Sequence, residues 1–411
     1  MIFCRKNSKE AIRCSSCTAR LLFLSLLLVL CQPVSARLRH ADSTLLLSCE
    51  RDSLYLPLLR GQRVALFSNQ TGVDSHGQHT LDRLLSSGIR VTTLFGPEHG
   101  FRGTADAGEH VGSSVDGPTG IPIRSLYDGG STGPGDSVMH SFDVLVVDIQ
   151  DVGLRFYTYY ISMLRLMNRC GQTGRRVVLL DRPNPTGHYA DGPILEDSLH
   201  SGVGALPIPV VHGLTLGELA MMAQGEGWVE HKCSLTVVPC SGYTHRTLYT
   251  LPVAPSPNLP DMRSIYLYAS ICPFEGTTLS LGRGTEHPFQ MYGHPSLTGC
   301  RFTFTPRSVP GAKNPPLLGE ECQGVNLSTL PLSQLERWDR LHLEYVLDAY
   351  RRMPDKEEFF GPRAHFFDLL MGTPRVRQMI QAGASERQIR RTWRRALHRY
   401  MRQRKPYLLY P

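Results

Sequence analysis

After residue 36 the chain has no Cys-x-x-Cys pair, and nowhere does it carry HExxH, GxGxxG, or GxxxxGK followed by Ser or Thr. Each absence removes a class of protein. Without paired cysteines at that spacing, a zinc ribbon or thioredoxin-like centre is excluded. Without a glycine-rich phosphate loop after the first β-branched run, which leads instead into Ser68-Asn69-Gln70-Thr71-Gly72, nucleotide binding is disfavoured. No GxSxG elbow follows any of the β-branched runs described below, so a serine hydrolase of that type is disfavoured too. His99, Asp148 and His212 lack the spacing of a zinc-ligand motif, and neither a metal nor a cofactor is expected. There is no internal repeat and no extended low-complexity segment.

Long apolar runs are also missing. Leu21 to Leu30 spans only ten residues, whereas a helix crossing a bilayer needs about 20. That run follows a basic start (Arg5, Lys6, Lys9, Arg13, Arg20) and precedes Val34-Ser35-Ala36, the small residues a signal peptidase cuts after. Residues 1–36 therefore read as a cleaved signal peptide, with a mature start near Arg37 and export to the periplasm or the exterior. Cys31 admits a lipoprotein reading, although Leu30 is larger than the residue such a cleavage site usually carries. Four of the eleven cysteines precede the cut, so seven remain, and an oxidising compartment would permit one or two disulfides.

The net charge of +8 is unevenly spread. Residues 1–36 hold five basic and one acidic side chain and residues 386–405 hold nine and one, which leaves 37–385 near −4. The C-terminal basic residues Arg387, Arg390, Arg391, Arg394, Arg395, Arg399 and Arg402 have helical spacing around Ile389, Trp393 and Leu397. They form either a solvated helix face or a polyanion-binding patch. Nothing in the remainder points to nucleic acid.

Residues 62–68, 89–95, 142–149 and 176–181 are short, mostly apolar, β-branched runs, the pattern of strands buried on both faces. Helical patterns at Thr80 to Ser87 and Tyr157 to Cys170 alternate with them, predicting a parallel doubly wound sheet. A strand over Ile208 to Val211, a helix over Leu216 to Gln224 with Thr215 as N-cap, and a strand over Ser234 to Val238 extend it. From Leu297 the character changes to a strand at Arg301 to Thr305, a Pro/Gly-rich stretch, and helices at Leu332 to Arg352 and Glu386 to Gln403. The expected division is a catalytic α/β domain at 37–296 and a smaller α+β domain at 297–411.

In open α/β sheets ligands lie beyond the carboxyl ends of the strands. Polar residues collect there: Ser68-Asn69-Gln70-Thr71, Gly96-Pro97-Glu98-His99-Gly100, Asp148-Ile149-Gln150-Asp151 and Asp181-Arg182-Pro183-Asn184. Among them Glu98, Asp148 and Asp151, with Glu275 further on, are carboxylates beside tyrosines, amides and arginines. Cleaving a glycosidic bond needs such a set: one acid to protonate the leaving oxygen, and a second carboxylate as base, nucleophile or charge stabiliser. Each acid could instead cap a helix or pair with an arginine.

LFGPEHGFRG (94–103), DAGE (106–109), DIQDVGLRFYTY (148–159), LDRPNPTG (180–187), DGPIL (191–195), HGLTLGELA (212–220), SPNLP (256–260), FEGTTLSLGRGT (274–285) and YLLYP (407–411) carry a resemblance that covers Gly61 to Pro411. The chain resembles the DUF1343 family, which is associated with exo-β-N-acetylmuramidases of the NamZ type. The resemblance implies a Rossmann-like catalytic domain, an accessory domain, and release of N-acetylmuramic acid from the non-reducing end of peptidoglycan fragments in cell-wall turnover and recycling. Glu98 is the expected general acid. The lactyl carboxylate of such a sugar asks for an arginine, with Arg102, Arg155, Arg182 and Arg283 as candidates, and its acetamido group for Asn69, Asn184 or Asn258. His99, Glu109, Tyr157, Asp181 and His212 complete the expected substrate site. Leu281 stands where relatives can carry an acidic or small residue, so position 281 is not expected to be catalytic. Tyr189 and Ala190 interrupt a glycine-rich run, which puts that loop's shape in doubt. Two rival readings stay open: a non-catalytic cell-wall carbohydrate-binding protein, and a hydrolase of another amino sugar.

Overall fold

The computed structural model describes residues 38–97, 100–101, 114–126 and 133–411. Leu38–Pro411 forms one compact unit. Its centre is a sheet of seven strands: β1 (Arg63–Ser68), β2 (Arg90–Gly96), β3 (Ser114–Val115), β4 (Pro122–Ser125), β5 (Val144–Asp148), β6 (Arg176–Leu180) and β7 (Ser234–Val238), in the order β3-β4-β2-β1-β5-β6-β7. All pairings are parallel except that of β3 with β4. The chain first winds outward from β1 through β2 to β4, then returns to place β5 on the other side of β1. The order therefore reverses between β1 and β5, the switch point where doubly wound sheets open a crevice.

Side-chain alternation explains why helices cover both faces. Ala65, Phe67, Leu145, Val147, Val177 and Leu179 point into one core. Val64, Leu66, Val144, Val146, Val178 and Leu180 point into the other. Helix α1 (Thr80–Ser86) covers the second core with Leu81 and Leu84. Helices α2 (Tyr159–Thr173) and α3 (Leu216–Gly225) cover the first. Thr215 caps α3 as expected, its hydroxyl accepting from the Glu218 amide while the Glu218 side chain accepts from the Thr215 amide.

Beyond the sheet, α4 (Met262–Ile271) leads to a three-stranded antiparallel sheet of β8 (Met291–His294), β9 (Phe302–Phe304) and β10 (Cys322–Asn326), ordered β8-β10-β9. Helices follow, including α5 (Glu344–Arg352), α6 (Ala364–Met371) and α7 (Arg394–Gln403). This is the mixed α/β class read from the sequence, with a small α+β portion after the main sheet. One hydrophobic core runs unbroken from Ala65 to Tyr400.

Three expected elements differ. Ile208–Val211 is not a ladder strand and makes only isolated bridges through Val211; Pro207 and Pro209 have no N–H to donate. The helix expected over Leu332 to Arg352 splits into Leu332–Leu335 and α5. That over Glu386 to Gln403 splits into Glu386–Arg390 and α7. All seven described cysteines are free thiols, and burial raises the pKa of each. Among the described residues no helix is long and apolar enough to cross a membrane. The segment expected to be a signal peptide lies outside the described residues.

Candidate active site

The loops leaving β1, β5 and β6 are tied together at the switch point. Ser68 Oγ donates to the Asp148 carbonyl at 2.6 Å, and the Gln150 amide donates to Thr71 Oγ1 at 3.0 Å. Gln150 Nε2 reaches the Pro183 carbonyl at 2.8 Å. At the centre Asp148, 1% exposed, takes Arg182 Nε at 2.5 Å and Nη2 at 2.9 Å, and the Thr80 hydroxyl also donates to it. Burial alone would lower the Arg182 pKa; the adjacent carboxylate outweighs it and raises the pKa. A buried bidentate pair of this kind costs desolvation and returns geometry. It fixes the rim, and both of its members are engaged with each other.

Asn69 and Asn184 act on the backbone in the same way. Asn69 Nδ2 donates to Tyr159 Oη at 3.0 Å, while its Oδ1 accepts from the Thr71 amide. Asn184 Nδ2 donates to the Leu214 carbonyl and its Oδ1 accepts from the Thr186 amide. Gly153, at φ +80°, lies so close that a Cβ there would stand 2.4 Å from the Asn184 amide group. Asp181 sits at the start of α3, accepting from Thr215 Oγ1 at 2.6 Å, the Gly217 amide at 2.8 Å and Tyr410 Oη at 2.7 Å; burial pushes it up to about 6.

Arg155 is wholly buried and meets no carboxylate among the described residues. Its guanidinium donates to the carbonyls of Pro193, Ile208 and Leu370 at 2.7–2.9 Å, and burial lowers it to about 10. It joins three segments through its two terminal nitrogens, while its Nε is buried without a hydrogen-bond partner among the described residues.

Asp151 and His212 face each other across 4.0 Å. The Leu214 amide donates to His212 Nδ1, so the ring proton sits on Nε2, toward Asp151 Oδ1. That separation is too long for a hydrogen bond. Burial raises Asp151 to about 7 and lowers His212 to about 3, so both are driven to their neutral forms and the contact is not an ion pair near neutral pH. Asp151 Oδ2 and His212 Nε2 are buried polar atoms with no hydrogen-bond partner.

A concavity lies beyond this rim, a cavity of about 650 Å³. Of the residues expected from the sequence, it brings together Tyr157, Asn258, Glu275 and Arg283. Tyr157 Oη donates to the Pro255 carbonyl at 2.9 Å, and Asn258 Nδ2 to the Gly311 carbonyl at 2.8 Å. Glu275 takes Arg283 Nη2 at 2.6 Å and Nε at 2.9 Å, both on Oε1, and the guanidinium stands 4.9 Å over the Phe289 ring. The Arg283 pKa, which burial would lower, is raised by that carboxylate.

Asn69, Asp148, Asp151, Arg155, Asp181, Arg182, Asn184 and His212 do not line this cavity. Glu98, His99, Arg102 and Glu109 lie outside the described residues. Sequence reasoning missed Lys313, Arg363 and the aromatic wall of Phe156, Tyr268, Phe289 and Phe366. Lys313 falls in a Pro/Gly-rich stretch that was read only as a change of character, and Arg363 follows Gly361-Pro362 with no motif around it. The cavity's described lining holds three cations, Arg283, Lys313 and Arg363, against one carboxylate, Glu275.

Comparison with known proteins covers nearly the whole unit. The N-terminal family model of exo-β-N-acetylmuramidase NamZ matches residues 64–263 and the C-terminal model matches 266–410. The chain is 36% identical over 373 residues to the peptidoglycan β-N-acetylmuramidase NamZ of Bacillus subtilis (strain 168), spanning 87% of this chain and 89% of that protein. Two crystal structures of DUF1343 family proteins from Bacteroides fragilis NCTC 9343 share the fold. One, 52% identical, has a TM-score of 0.82 over 90% of this chain and 99% of its own. The other, 28% identical, has a TM-score of 0.73 over 90% of this chain and 100% of its own.

Proposed function

The chain belongs to the exo-β-N-acetylmuramidase family of the NamZ type, and from that premise we propose that it hydrolyses the glycosidic bond of a terminal N-acetylmuramic acid in the 650 Å³ cavity. It is a glycosidase, and its product is the sugar released from the non-reducing end of peptidoglycan fragments. The observation that supports this cavity as the sugar site is its charge balance. N-acetylmuramic acid differs from N-acetylglucosamine by a lactyl carboxylate, and even with Lys313 left out of the count the described lining sets two cations, Arg283 and Arg363, against one carboxylate, Glu275. Arg283 and Glu275 then divide the work: the guanidinium holds the carboxylate in place on the wall, and Glu275 offers negative charge to the oxocarbenium-like transition state. The aromatic wall supplies the apolar surface on which sugar rings pack.

Glu98 is assigned the role of general acid from its sequence position after Gly96 and Pro97 at the carboxyl end of β2. The enzyme is exported, residues 1–36 being a cleaved signal peptide, and acts in the periplasm or outside the cell in wall turnover.

The test is specificity. Lys313→Met and Arg363→Met remove cations and leave both side chains of the Arg283–Glu275 pair in place, although Arg363 also donates to the Glu275 carbonyl at 3.2 Å. If they receive the lactyl group, KM for an aryl N-acetylmuramide rises roughly 10- to 100-fold per lost charge-assisted contact, while hydrolysis of the matching N-acetylglucosaminide changes little. A wild-type enzyme that cleaves both sugars equally, or variants that weaken both equally, would remove this cavity as the carboxylate-reading site.

A further inference from the structure

A second concavity, about 600 Å³, opens away from the residues that line the first and is walled by the arginines of the C-terminal helices. Its floor is built. Trp393 Nε1 donates to Asp191 Oδ1 at 3.0 Å, Arg390 Nη1 lies 2.7 Å from Asp191 Oδ2, and the Leu341 amide donates to the same oxygen at 2.8 Å. Arg390 also donates to the Leu341 carbonyl and stands 5.6 Å over the Trp393 ring. Asp191 is thus fully occupied by the scaffold.

Above that floor stand Arg340, Arg387, Arg391 and Arg394, none of which forms a hydrogen bond or ion pair with a described residue. The remaining acid is Glu386. Burial raises its pKa, and its Oε1 is buried without a hydrogen-bond partner among the described residues. Four guanidinium groups around one concavity carry like charge and repel one another. Solvent alone would favour splaying them around the helix; a groove that gathers them gains most when an anion enters. The fork of donors on each guanidinium fits tetrahedral phosphoryl oxygens two at a time.

We infer that this groove is a binding site for a linear polyanion bearing repeated phosphoryl groups, separate from the sugar cavity. A linear chain presents several neighbouring anionic groups to the four separate guanidiniums that line the groove. A site of this kind on an exported wall hydrolase would hold the enzyme against a phosphate-bearing polymer while the other cavity works on saccharide ends.

Linear inorganic polyphosphate is the probe, titrated against the full chain with calorimetry and with tryptophan fluorescence, Trp393 being in the floor. The comparison variant is Arg387→Gln/Arg391→Gln/Arg394→Gln, which leaves Arg390 and its scaffold intact and lies outside the sugar cavity. Expected are binding that weakens steeply with salt, a loss of at least ~10-fold in affinity in the triple variant, and a salt slope shallower by roughly one for each contact removed. Turnover of an aryl N-acetylmuramide should be unchanged in the variant, which also shows that it folds. Failure of the wild type to bind polyphosphate, equal binding by the triple variant, or equally tight binding of poly-glutamate would each overturn the inference. So would binding confined to phosphatidylglycerol/phosphatidylcholine vesicles, since that would mean the groove reads a lipid surface and not a soluble phosphate chain. Loss of muramidase activity with polyphosphate binding retained in the wild type would leave the groove standing and count only against the sugar cavity.

Discussion

Three arginines that look interchangeable in the sequence have three different fates. Arg155 is consumed by carbonyls and Arg182 by Asp148, while Arg283 reaches a cavity in the company of Glu275. A guanidinium satisfies whatever acceptors surround it, so residue type names the chemistry and tertiary position decides the use. The same logic governs Glu98, which only chemistry can test. Glu98→Gln keeps size and hydrogen bonding and removes the ionisable proton; kcat on a natural disaccharide should fall at least ~10²-fold with the thermal melt unchanged. An aryl leaving group that needs little protonation should recover part of the rate if Glu98 is the acid. Full activity of the variant on the disaccharide would eliminate the residue from the mechanism and leave Asp151 or Glu275 as the acid.

At the scale of elements, the runs and periods that matched did so because each was locally complete. The four β-branched runs became β1, β2, β5 and β6, and the strand expected at Ser234 to Val238 is β7. One of the elements that broke has backbone partners from far away. The expected helix through residue 340 stops because the amides of Leu341 and His342 are taken by Asp191 Oδ2 and Ser270 Oγ in place of carbonyls one turn back. The loop leaving β5 carries a pH dependence of its own. Asp151 has its pKa raised by burial from 3.8 to about 7, so its native state holds a proton that the unfolded chain releases earlier. Its contribution to stability is fully present below 3.8 and is lost as pH rises to about 7. Asp151→Asn, neutral throughout, should melt above the wild type at pH 8, with the difference shrinking toward pH 4. A melting difference independent of pH would show that Asp151 is not held neutral. Comparing variant with wild type at each pH isolates Asp151 from His212, whose lowered pKa gives a slope of opposite sign between about 3 and 6.5.

For the whole molecule, the chain's net charge of +8 is a sum over unlike parts: a leader expected to be removed, a near-neutral catalytic body, and a basic C-terminal face. Mass spectrometry of the secreted or periplasmic protein should find a mature N-terminus near Arg37, and an intact Met1 would refute export by cleavage. The sequence by itself determined the winding of the sheet, because alternation between two buried faces and helical periods between strands admit few other packings. It also determined which strand ends hold polar residues, and the family. Only the tertiary structure decided which of those polar residues are spent on one another. It tied Asp148 to Arg182, drew Asn69 onto the Tyr159 hydroxyl and the Thr71 amide and Asn184 onto backbone, and joined Glu275 and Arg283 with Lys313 and Arg363 around one cavity. The physical reason is that a polar side chain's role depends on its nearest acceptors, donors and charges, and those come from segments up to 229 residues away along the chain.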